Sequence, residues 1–118
     1  MTQLEMPWLM ALKQAQWVDQ EIVDSWASYR EAVIWCWANR PKRGKNDPQD
    51  QRMAAYYLGC HPPHFSRYVN PKTKSPMDLP PDLDGAFQGY TGWRGIDQYN
   101  AKRKQLTIME EVIARRAA

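Results

Sequence analysis

Apolar residues along this chain recur at intervals of three, four and seven, and no run of alternating β-branched residues interrupts them. That period belongs to helices, so the expected fold class is all-α, a small bundle of five or six helices. Nine prolines and six glycines divide the pattern into segments, because proline cannot continue a helix and glycine readily ends one. Leu4, Trp8, Leu12, Ala15, Ile22 and Trp26 predict an amphipathic helix starting near Pro7. In residues 25–38, Trp26, Tyr29, Val33 and Trp37 share one face, with Ala32 and Cys36 beside it. The two segments form one long helix or two, with Asp24–Ser25 as the expected break. Residues 39–46 read as a loop.

The next stretch is better punctuated. Asp47 is a candidate N-cap, Pro48 suits the first helical position, and Asp50 favours the positive end of the dipole. This helix runs to Leu58 and stops at Gly59. Pro62 and Pro63 start a short helix that must end before Asn70–Pro71. Residues 72–77 are loop. Pro80, Pro81 and Asp82 open another helix, closed at Gly92. A last helix from about Asn100 to Arg116 is expected to turn Leu106, Met109, Val112 and Ile113 inward, with Arg115 and Arg116 at its negative end.

With 118 residues, 43% of them hydrophobic, the chain has room for one domain. Within residues 1–118, three parts are expected: Trp-rich N-terminal helices over 1–40, a central helical core over 47–95, and a C-terminal helix over 98–118. No stretch approaches the roughly 20 apolar residues that cross a bilayer, and the first residues lack the basic start and apolar core of a signal peptide. Two cysteines, Cys36 and Cys60, suit a reducing compartment as small buried residues. The expected location is therefore the cytoplasm, with no membrane partner. No phosphate-binding glycine loop, HExxH or GxSxG motif occurs. His61 and His64 are the two histidines and sit in one short segment, leaving no independent catalytic base. The chain is expected to be no enzyme and to need no cofactor.

Sixteen basic residues against thirteen acidic give a formal charge of +3, which alone implies no partner. Its layout does. Residues 39–75 hold eight basic and two acidic side chains, whereas residues 1–38 and 76–100 are each net negative.

The positive block brackets residues 51–70, where a helix, a glycine and a second helix follow one another. A helix-turn-helix has specific steric demands. Its fifth residue must be small because the second helix crosses it closely, and here it is Ala55. Its ninth must turn the chain with positive φ, and here it is Gly59. The positions that join the helices must be apolar: Ala54, Leu58, Cys60, Phe65 and Tyr68 occupy them, Tyr68 being large for its place. Cys60 fills one of these slots and no C-x₂₋₄-C spacing exists, so a zinc site at Cys60, His61 and His64 is not expected.

On these residues, and on Ser66-Arg67-Tyr68-Val69-Asn70-Pro71 followed by a polar loop and Leu79-Pro80-Pro81-Asp82-Leu83, the sequence resembles the lambda-repressor-like (XRE-type) helix-turn-helix regulators of phages and prophages. The resemblance covers roughly residues 47–95, Gly92 included. It implies that the second helix lies in the major groove of double-stranded DNA, and that the chain regulates transcription, as a repressor or an activator. Pro62 and Pro63 replace the polar residues that commonly begin that helix, which shifts base contact to His64, Ser66, Arg67 and Asn70. Phosphate contact is implied for Gln51, Arg52, His61, Lys72 and Lys74, and for Arg40, Lys42, Arg43 and Lys45 before the motif.

Such regulators usually act as two-fold dimers, so a homodimer is expected, with RNA polymerase or another protein as a further candidate partner. The N-terminal tryptophans either complete the core or form the dimer surface, the C-terminal helix being the rival for that role. An alternative function is a protein–protein adaptor or inhibitor that presents the aromatic N-terminal surface to a partner.

Overall fold

A computed structural model describes residues 12, 14–41 and 48–117. Trp8, the proposed cap Asp47, and the basic residues Lys42, Arg43 and Lys45 lie outside the described residues. Six α-helices and no strand occur among those described: α1 (Gln20–Ser25), α2 (Tyr29–Ala38), α3 (Pro48–Leu58), α4 (Pro62–Val69), α5 (Asp84–Thr91) and α6 (Gly95–Ala117). The all-α expectation is met.

Helix α2 is the central element, packed against α6, α4 and α5. Its start is a capping box: the Ser28 hydroxyl accepts from the Glu31 amide at 3.2 Å, and Glu31 accepts in return from the Ser28 amide at 3.1 Å. Glu31 also accepts from the Ala27 amide. The helix buries Ala32, Val33, Cys36 and Trp37. Trp37 meets Phe65 of α4 edge-on at 5.0 Å, while Trp26, Trp35 and Trp93 form a chain of ring contacts at 5.7 and 5.2 Å. Aromatic pairs in such geometries add stabilisation beyond their area, roughly 0.5–1.5 kcal/mol each.

The chain breaks after Ser25, close to the expected point. The continuous helix expected from Pro7 to Trp26 does not form, because residues 15–19 are not helical. Gln98 on α6 holds this segment by both ends of its amide, donating to the Val18 carbonyl at 2.9 Å and accepting from the Val18 amide at 2.8 Å. The Gln16 amide donates to the Gly92 carbonyl and the Gln16 carbonyl accepts from the Arg94 amide, each at 2.9 Å. Backbone groups satisfied by residues some 80 positions away have no need of a helix.

Helix α5 is preceded by one 3₁₀ turn over Pro81–Leu83 and ends at Gly92, whose φ of +81° is left-handed. Helix α6 begins at Gly95, earlier than its apolar pattern suggests. It buries Gly95, Ile96 and Tyr99 near its start. Leu106, Met109, Val112 and Ile113, expected to face inward, are 43–64% exposed, because the later turns of α6 run past the body they would have to cover.

Among the described residues, no helix is long and apolar enough to cross a membrane.

Candidate nucleic-acid interface

The hairpin α3–Gly59–α4 is built by local signals. Helix α3 ends with Gly59 at φ +75°. The Gly59 amide donates to the Tyr56 carbonyl at 3.1 Å, and the Cys60 amide reaches back to the Ala55 carbonyl at 3.0 Å. This is a Schellman closure, which satisfies the carbonyls a helix end leaves open. Pro62 and Pro63 then occupy the first turn of α4, where no amide donor is needed. His61 sits at the N-cap but makes no side-chain cap bond. Its ring contacts that of His64 at 5.1 Å.

The inward face of the hairpin matches the slots read from sequence. Ala54, Ala55 and Phe65 are fully buried, Leu58, Tyr68 and Val69 nearly so, and Cys60 is half-buried. Burial pushes the Cys60 thiol and the Tyr68 phenol above their ordinary pKa values. Ala55 must be small because α4 packs directly on α3.

On the outward arc of α4, helical geometry at about 100° per residue places Pro63 at the centre, with Ser66, Arg67 and Asn70 around it and His64 at one edge. Pro63, His64 and Arg67 are exposed, and Ser66 and Asn70 half-buried. The Asn70 side chain accepts from the Lys72 amide at 3.0 Å, folding the loop after α4 into an Asx turn. Arg67 is bound only loosely through its guanidinium, to the Met77 sulfur at 3.9 Å. Lys72, Lys74, His61 and Arg52 are exposed, and Gln51 is half-buried.

Arg40 departs from its expected role at a phosphate. Its Nε donates to Asp50 at 2.6 Å in an ion pair whose side chains are 11% and 8% exposed. The guanidinium lies 3.6 Å from the Trp37 ring centre and donates to the Trp37 carbonyl at 2.6 Å. Asp50 also accepts from the Tyr90 hydroxyl at 2.5 Å. An arginine held by a carboxylate, a ring face and a carbonyl is committed to structure. Asp50 is likewise a buried ion-pair partner, a role beyond its expected place at the helix start.

Two features had no signal in the sequence. Arg30 on α2 spans the end of α4 and the loop after it: its guanidinium donates to the carbonyls of Arg67 at 2.9 Å, Asn70 at 2.9 Å and Met77 at 3.1 Å. It therefore positions the helix that carries the candidate base-contacting residues. Beside α3, Met53, Tyr56, Tyr57, Arg52 and Tyr90 line an open cavity of about 590 Å³, with Tyr56 90% exposed. Tyr57 leans on Tyr90 at 5.4 Å.

Among the described N-terminal tryptophans, Trp26 and Trp37 are buried, Trp35 is half-buried and Trp17 is 63% exposed. Among the described residues, no group of three or more His, Cys, Asp or Glu side chains is placed to hold a metal ion. Comparison with known proteins adds no relative: no family model, curated protein or solved structure matches the chain.

Proposed function

We propose that this chain is a cytoplasmic, sequence-specific DNA-binding regulator of transcription, of phage or prophage type, which sets α4 in the major groove. One observation carries the reading: the α3–Gly59–α4 hairpin buries its joining residues and leaves Pro63, His64 and Arg67 outward, with exposed Lys72 and Lys74 following. In this reading Arg67 reads a base edge, and a bidentate contact to guanine is worth roughly 1–3 kcal/mol of discrimination. Ser66, His64 and Asn70 read neighbouring positions, and the Pro63 ring offers an apolar contact of the kind that suits a thymine methyl. His61, Arg52, Lys72 and Lys74 meet phosphates, whereas Arg40 shapes the core. The protein acts on its operator as a homodimer.

The test is selection from a randomised duplex pool, followed by a salt titration on the enriched site. An enriched palindrome supports the reading, with Arg67→Ala relaxing the sequence at one position in each half-site and Lys72→Ala, which removes two phosphate contacts per dimer, lowering the salt slope by about 1.8. If the chain retains no duplex at low salt, or Arg67→Ala combined with Lys72→Ala and Lys74→Ala leaves retention unchanged, the reading fails.

A further inference from the structure

Helix α6 is 23 residues long, yet from residue 103 to 117 every residue is exposed. Five of these are large and apolar: Leu106, Ile108, Met109, Val112 and Ile113. At about 100° per residue they occupy an arc of roughly 160° on one side of the helix. Lys102, Leu106, Met109 and Ile113 follow the alternating four- and three-residue spacing of a two-helix seam, with Lys102 half-buried at its start. Arg103 and Glu110 flank the seam on one side, Gln105 and Val112 on the other. From Leu106 to Ile113 this face is exposed, whereas Trp26, Ala27 and Ser28 border its start at Tyr99 and Lys102.

We propose that α6 pairs in antiparallel fashion with α6 of a second copy of this chain, the two-fold axis crossing between Thr107 and Ile108. Charge selects this arrangement. With Leu106 seated against Met109 of the second copy, Arg103 falls opposite Glu110 of the second copy, and symmetry makes the contact twice. A parallel pair sets Arg103 near Gln98 and Glu110 near Gln105, leaving both charges unmatched, and brings the two Arg115–Arg116 ends together. In the antiparallel pair each such end reaches the opposite body level with residue 100. There Trp17, Asp24, Asp97 and Gln98 line a hollow of about 550 Å³. Asp24 holds Lys102 beside it at 3.0 Å. The pairing deepens the homodimer part of the proposed function and rests on α6 alone.

The experiment is sedimentation equilibrium of the full chain without DNA, with duplex retention of each variant measured separately at low salt. Wild type is expected to be a dimer at about 100 µM. Leu106→Glu with Met109→Glu is expected to be a monomer whose thermal unfolding matches that of wild type diluted until it dissociates, since both residues are exposed in the single chain. Arg103→Glu and Glu110→Arg each weaken the dimer about tenfold, and an equimolar mixture of the two variants restores it. A monomeric wild type overturns the proposal, as does a dimer indifferent to Leu106→Glu with Met109→Glu. A dimer that needs the apolar residues but ignores both charge reversals overturns the antiparallel register. Loss of duplex retention in a chain that still dimerises counts against the DNA reading alone.

Discussion

Arg30→Met keeps the aliphatic stem of Arg30 and removes every donor that holds the end of α4. Three carbonyls, those of Arg67, Asn70 and Met77, lose their guanidinium partner. The bonds to Asn70 and Met77 are partly buried and the bond to Arg67 is exposed. Water can replace the exposed bond at little cost, whereas the partly buried charge-assisted bonds are each worth about 1–1.5 kcal/mol after that exchange. The expected loss is about 2–3 kcal/mol, which lowers the unfolding midpoint of a domain this size by about 8–12 °C. Far-ultraviolet circular dichroism on heating reads it directly. Arg30→Lys should recover less than half of the loss, because one ammonium cannot span three carbonyls as a planar fork can. If Arg30→Met melts within about 2 °C of wild type, the clamp does not hold α4, and the reasoning that makes Arg30 a positioning residue fails.

Three further predictions concern the core and its titrating groups. A Cβ at Gly95 would lie 2.7 Å from the Trp26 ring, 3.0 Å from the Cys36 sulfur and 3.1 Å from a Val18 methyl. Gly95→Ala should therefore destabilise by about 1–3 kcal/mol in a urea titration despite the better helix propensity of alanine, and a neutral result would show that this packing yields. Burial pushes the Cys36 thiol up to about 12. Cys36 should stay unlabelled by a disulfide reagent at about pH 8 until the chain opens, while the half-buried Cys60 reacts first; two equally fast thiols would contradict that burial. Burial, with Asp97 and Asp82 nearby, raises the Asp84 carboxyl above its ordinary value. The stability linked to its protonated form is present below the ordinary carboxylate range and is lost as pH rises through the raised value. Asp84→Asn should then be more stable than wild type at neutral pH, and the difference should close in acid; a variant less stable at neutral pH reverses the sign and refutes the assignment.

What could be read from the sequence was local. The α3–Gly59–α4 hairpin was legible because each of its signals acts within a few residues. Pro48 starts a helix, Gly59 takes a left-handed φ, Ala55 leaves room, and Pro62–Pro63 and Asn70–Pro71 bound the next helix. Residues 72–77 were legible as loop, and Gly92 as a helix end, for the same reason.

Other features depend on partners in other elements, and only the tertiary structure decided them. Residues 15–19 leave the helix because Gln98 and the backbone around Gly92 satisfy their hydrogen bonds. Arg40 belongs to a basic run, yet Asp50 and Trp37 draw it to the edge of the core. Arg30 looks like one more charge on α2 until three carbonyls converge on it. The apolar period of residues 106–113 revealed a face without revealing what covers it, and no described residue does. A helical period reports the shape of one element, whereas burial and pairing depend on where the other elements end up.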